Sequence, residues 1–126
     1  MAKVLVVEDN PANMTLAVFL LQSVGHSVLS AMDAEAGLAL ARSEQPNLIL
    51  MDIQLPLLDG YEATRRIKAD PALRAIPIIV ITSCALSGDH EKARAAGCDA
   101  YFSKPFSPRQ LLAKVREYLS SVAPLG

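Results

Sequence analysis

Short apolar runs recur along this chain, each followed by a longer amphipathic stretch, and each run stops at a polar or charged residue. Val4-Leu5-Val6-Val7 ends abruptly in Glu8-Asp9-Asn10, Leu48-Ile49-Leu50-Met51 ends at Asp52, and Ile78-Ile79-Val80-Ile81 ends at Thr82-Ser83. A run that is apolar at every position, rather than at alternate ones, is the pattern of a strand covered on both faces, as in parallel sheets. The weaker segments Ser27–Ala31 and Tyr101-Phe102-Ser103, the latter closing at Lys104-Pro105, complete the set of strands.

The stretches between them read as helices. Pro11 stands where a first helical turn tolerates proline, and Leu16, Phe19, Leu20 and Val24 follow at helical spacing before Gly25. Residues 34–43 predict an alanine-rich helix stopped before Pro46, and Asp59 is a good N-cap for a helix reaching about Ala69. A small-residue helix over roughly 87–96 closes at Gly97, and Leu111, Leu112, Val115 and Leu119 line one face of the last helix. Strands and helices that alternate in this way need crossovers, so the expected fold is α/β, a doubly wound parallel sheet with helices on both faces. One domain is expected over residues 1–126, with a core at about 3–119 and a tail at 120–126 that carries no output module.

Composition removes several function classes. The chain is 52% hydrophobic and 20% charged, which suits a packed globular domain. A net charge of −1 gives no electrostatic footprint for nucleic acid or an anionic membrane. Cys84 and Cys98 lack both a disulfide framework and metal-ligand spacing, and are read as small apolar residues in a reducing cytosol. The apolar run near the N-terminus is too short for a signal peptide, and nothing approaches the ~20 apolar residues of a membrane span. The expected location is cytoplasmic.

An open α/β sheet binds its ligands beyond the carboxyl ends of its strands. That rim collects Glu8 and Asp9, Asp52, Thr82 and Ser83, and Lys104. Carboxylates brought together in a partly desolvated cleft repel one another, and a cation relieves the cost. All-oxygen ligation suits Mg²⁺, while a lysine and a hydroxyl suit a phosphoryl group. Together these are the parts needed to form an aspartyl phosphate. Taken singly, each has a plain explanation: a solvated turn, a capping aspartate, a surface lysine. Their coincidence at four strand ends does not.

The segments VLVVEDN, LILMDIQLPLLDGYE, IIVITS and AGCDAYFSKPF, in that order, resemble the receiver-domain family of two-component response regulators over about residues 3–119. In character the chain is similar to stand-alone receivers of the chemotaxis or cell-division type. The resemblance implies a flavodoxin-like (βα)5 fold with strand order 2-1-3-4-5. It implies that Asp52 accepts the phosphoryl group, from a sensor histidine kinase or a histidine phosphotransfer protein. It further implies Mg²⁺ held by the side chains of Asp9 and Asp52 and the backbone carbonyl of Gln54, with Glu8 acting through a water. Lys104 would bind phosphoryl oxygens, Thr82 would hydrogen-bond the phosphoryl group, and the Ser83 amide would assist.

The same resemblance implies a switch. Thr82 moves toward the phosphoryl group, Tyr101 rotates into the vacated space, and the surface of the fourth helix, fifth strand and fifth helix changes for a protein target. Gln54 and Cys84 would flank the path of the hydrolytic water, and a cysteine there is a poor hydrogen-bonding group. Slow to moderate self-dephosphorylation is therefore expected, from a monomer or weak dimer that catalyses at most its own phosphorylation and dephosphorylation.

Three rival functions fit less well. A phosphatase of the haloacid-dehalogenase type needs a second aspartate as general acid where this chain has Gln54, and room for a substrate cap. A flavodoxin-like FMN carrier needs a hydroxyl- and glycine-rich loop where this chain has EDNPAN, and aromatics to sandwich the ring, of which there are only 5%. A degenerate receiver that binds partners without being phosphorylated is hard to square with the complete residue set. Elsewhere, Met14, Met32 and Met51 are expected in the core or at its margin, His26 and His90 at the surface, and Arg65, Arg66 and Lys68 on a solvated helix face.

Overall fold

Three of the apolar runs form strands that are buried at every residue but one, as their uninterrupted hydrophobicity requires. The computed structural model describes residues 2–82, 89–103 and 107–122, with the backbone alone at 89, 90, 103 and 120–122. The strands are β1 (Lys3–Val7), β2 (Ser27–Ala31), β3 (Leu48–Asp52), β4 (Ile78–Thr82) and β5 (Ala100–Ser103). Between and after them run α1 (Pro11–Ser23), α2 (Ala34–Glu44), α3 (Gly60–Ala69), α4 (Asp89–Ala96) and α5 (Pro108–Val122). The strands make one parallel sheet in the order β2-β1-β3-β4-β5. This is the order that the resemblance implied.

The two-residue period of a strand divides each run between two cores. Leu5, Val7, Ile49, Met51, Ile78 and Val80 face α2 and α3, where they pack with Leu38, Ala41, Ala63 and Ile67. Val4, Val6, Leu48, Leu50, Ile79 and Ile81 face α1 and α5, where they meet Met14, Leu21, Leu111 and Val115. Edge strand β2 is only partly buried, which explains its weaker, serine-containing pattern. Caps sit where the sequence places them. Asp59 accepts from the Glu62 amide at 2.9 Å, and Gly97 ends α4 with φ of 95°.

Several expectations need correction. The helical spacing of Leu16, Phe19, Leu20 and Val24 does mark α1, but it does not mark its buried face: Leu16, Phe19 and Val24 are 52%, 67% and 53% exposed, while Met14 and Leu21 are buried. The helix is apolar nearly all round, so helical spacing can be traced along more than one stripe. Met32 is also solvent-exposed, at 45%, because it falls just beyond β2 in a loop rather than on a covered strand.

Lys68 does not belong to a solvated face. Its side chain is only 17% exposed and its ammonium donates to three oxygens, whereas Arg65 and Arg66 do lie outside, paired with Glu62 and Glu35. His26 is half-buried, and its Nδ1 is shielded from solvent with no hydrogen-bond partner among the described residues. The last helix continues through Val122, so the tail boundary expected at 120 falls inside it. The side chain of His90 and the expected start of α4 at 87 lie outside the described residues.

Candidate functional site

Register decides which strand ends meet. Val7 pairs with Met51, which puts Glu8 level with Asp52 on the neighbouring strand. Asp52 pairs with Ile81, so Thr82 projects one residue farther along β4. Glu8 is held by its own amide, which donates to the Ala31 carbonyl at 3.0 Å, and its carboxylate accepts from the Asn10 amide at 3.1 Å. Asp52 Oδ1 accepts from the Gln54 amide at 3.2 Å.

The result is an acidic cluster. Glu8, Asp9 and Asp52 each present a carboxylate oxygen within 4.8 Å of the others. Glu8 and Asp52 are buried, at 7% and 6% exposure, while Asp9 faces solvent. Negative charges this close, two of them largely desolvated, repel strongly unless a cation sits among them. Hard oxygen donors in this number fit a Mg²⁺ ion that retains some of its water. A cleft of about 250 Å³ opens beside Glu8 and Asp52, walled by Val6, Asn13, Leu16, Ala17, Leu20 and Leu111.

Thr82 is 2% exposed at the end of β4. Tyr101 pairs with Val80 across β4 and β5, so the pleat sends the Tyr101 and Thr82 side chains to the same side of the sheet. Tyr101 is partly buried there, against the core shared with α2 and α3. Ser83, Cys84 and Lys104 lie outside the described residues. Gln54 follows two residues after Asp52 and is exposed.

One residue near the site escaped sequence reasoning. Gly60 opens α3 directly against the backbone of Asp52 and is buried. The available signal was a glycine at the first helical position, where a poor helix former needs a packing reason.

A family model described as the response regulator receiver domain matches residues 4–116. The chain belongs to the response regulator receiver family. It is thus a receiver domain of two-component signalling. This receiver is 43% identical over 116 residues to the polar-differentiation response regulator DivK of Brucella anthropi, an alignment covering 92% of this chain and 94% of the relative. The Brucella ovis DivK aligns to the same extent with the same identity.

Among solved structures, the receiver domain of the sensor histidine kinase PA1611 from Pseudomonas aeruginosa superposes with a TM-score of 0.88 at 39% identity, covering 94% of this chain and 98% of that one. That structure holds a magnesium ion in its active-site cleft. Vibrio cholerae chemotaxis protein CheY4 superposes with a TM-score of 0.89 at 27% identity, covering 94% of this receiver and 98% of that chain. No helix among the described residues is long and apolar enough to cross a membrane.

Proposed function

We propose that this receiver accepts a phosphoryl group on Asp52 with Mg²⁺ in the acidic cleft, from the phosphohistidine of a sensor histidine kinase or histidine phosphotransfer protein. The observation that carries the reading is the meeting of Glu8, Asp9 and Asp52 within 4.8 Å at the carboxyl rim of the sheet. Hard oxygen donors fit Mg²⁺, and the PA1611 receiver holds that ion in its own cleft. The side chains of Asp9 and Asp52 and the carbonyl of Gln54 would hold it, with Glu8 acting through a water. Bound there, the ion supplies positive charge beside the phosphoryl oxygens.

The remaining chemistry belongs to the chain. An Asp52 carboxylate oxygen attacks phosphorus, the bond from phosphorus to the donor's imidazole nitrogen breaks, and its electron pair stays on the imidazole. Lys104 and Thr82 neutralise and hydrogen-bond the transferred group. Burial of Thr82 beneath the rim means that a new bond to the phosphoryl group draws it away from its present packing, and Tyr101 on the same side of the sheet responds. The surface of α4, β5 and α5 then presents a different face to a protein target. We place the protein in the cytoplasm, as a monomer or weak dimer.

The test is incubation with acetyl phosphate and Mg²⁺, read by intact mass. Wild type gains one phosphoryl group and Asp52→Asn gains none. No gain on wild type sinks the reading and favours a receiver that binds partners without phosphorylation. With Cys84 two residues beyond Thr82, phosphoryl loss is slow to moderate, and Cys84→Glu accelerates it. A variant that is no faster removes Cys84 from the control of lifetime.

A further inference from the structure

We infer that Gly60 is a positioning residue for the Asp52 carboxylate, an inference that rests on the phosphoacceptor reading above. The first turn of α3 lies against the end of β3 with no room for a side chain. A Cβ on Gly60 would overlap the Asp52 carbonyl oxygen, and would lie 2.8 Å from Ile53 Cα and 2.9 Å from the Asp52 carbonyl carbon. All three atoms are backbone, and none can rotate away as a side-chain tip does. Gly60 does not have a left-handed φ, so close approach is the reason for glycine here, not backbone conformation.

The contact leads straight to the carboxylate. The Gly60 amide donates to the Ile53 carbonyl at 3.0 Å. That carbonyl and the Gln54 N–H belong to one planar peptide unit, and the Gln54 N–H donates to Asp52 Oδ1 at 3.2 Å. The helix end therefore grips one side of a rigid plate whose other side holds the phosphoacceptor. A second anchor acts on the same plate, since the Leu55 amide also donates to the Ile53 carbonyl at 3.0 Å. Asp59 holds the helix end in register by capping the Glu62 amide. Pushing α3 off by a methyl group tilts the plate, turns the Asp52 carboxylate and displaces the Gln54 carbonyl.

The test compares Gly60→Ala with Ile67→Val, which trims a fully buried side chain two turns farther along α3. Mg²⁺ affinity is read by calorimetry and phosphorylation by acetyl phosphate at saturating Mg²⁺, with far-UV circular dichroism to report the fold. Gly60→Ala should bind Mg²⁺ about 10- to 100-fold more weakly and phosphorylate more slowly, as when an outer support of a metal ligand is lost. Ile67→Val should lose stability but keep wild-type Mg²⁺ affinity.

Equal Mg²⁺ affinity in the two variants makes Gly60 a structural glycine only and overturns the inference. If Gly60→Ala does not fold, Asp59→Ala decides, because it loosens the same helix end without adding an atom. A severalfold loss of Mg²⁺ affinity in Asp59→Ala supports the inference, and wild-type affinity overturns it. A wild-type chain that neither binds Mg²⁺ nor gains a phosphoryl group defeats the phosphoacceptor reading itself, and the inference with it.

Discussion

Lys68 Nζ lies 2.9 Å from Asp99 Oδ2 and in the same position donates to the carbonyls of Arg74 at 3.0 Å and Ile76 at 2.9 Å. An ammonium has three donors, and all three are used. Asp99 Oδ2 also accepts from the Ile78 amide at 2.8 Å, so the pair ties the end of α3 to the starts of β4 and β5. Lys68→Ala should cost about 2–3 kcal/mol in urea unfolding, because two loop carbonyls lose the Lys68 donor and the Asp99 carboxylate loses its charge partner, keeping only the Ile78 amide. Arg65→Ala, which breaks an exposed pair, should cost no more than about 0.5 kcal/mol. Equal effects would show that the Lys68 contacts contribute no more than a surface salt bridge.

The two sides of α1 should respond in opposite ways. Leu21 is fully buried, and Leu21→Ala should destabilise by about 2–5 kcal/mol through the cavity it leaves. Phe19 is 67% exposed, and Phe19→Ser should stay within about 0.5 kcal/mol of wild type. Denaturant midpoints with unchanged slopes check both.

Leu57 stands fully exposed with φ of 68°, in the left-handed region that leucine rarely adopts. Asparagine tolerates that region without the added chain entropy of glycine. Leu57→Asn should therefore stabilise the fold by about 0.5–1 kcal/mol, and Leu57→Val should destabilise it, since a β-branched residue suits this backbone least. Paired thermal melts give the sign directly.

Crowding of Glu8, Asp9 and Asp52 makes stability depend on the cation. Mg²⁺ should raise the melting temperature, and a chelator should reverse the rise, because binding favours the folded state. Asp52→Asn should stabilise the metal-free protein by about 1 kcal/mol through removal of one repelling charge, and should blunt the response to Mg²⁺. An Asp52→Asn protein with a full Mg²⁺ response would remove Asp52 from the ligand set.

Burial holds the His26 imidazole below its ordinary value of 6.5. The folded chain thus keeps His26 neutral at pH values where the unfolded chain has begun to protonate it. The contribution is complete above 6.5 and is lost as pH falls through that value toward the lower folded-state pKa. Acidification from about pH 7.5 to about 5.5 should lower the urea midpoint of wild type more than that of His26→Gln. Parallel curves for the two proteins would assign the acid sensitivity to other groups.

Strand identity and sheet type were legible in the chain because Val4-Leu5-Val6-Val7, Leu48-Ile49-Leu50-Met51 and Ile78-Ile79-Val80-Ile81 have no polar face, and only a strand covered on both sides tolerates that. The same runs point to Glu8, Asp9, Asp52 and Thr82, since each apolar run gives way to polar groups at the carboxyl rim of the sheet, where an open α/β sheet binds its ligands. Helix caps such as Asp59 were equally readable, because a cap is a contact between residues three apart in sequence. What the chain could not reveal by itself depends on which surfaces are pressed together. In α1 the apolar residues Leu16, Phe19 and Leu21 look alike in sequence, and the face that the helix turns to the sheet selects Leu21 for burial. Lys68 finds its acceptors in the loop before β4 and at the start of β5, so its distance from Asp99 along the chain hides the contact. Gly60 is constrained by a backbone eight residues earlier, and only the seating of α3 on β3 turns a helix-weakening residue into the support beneath Asp52.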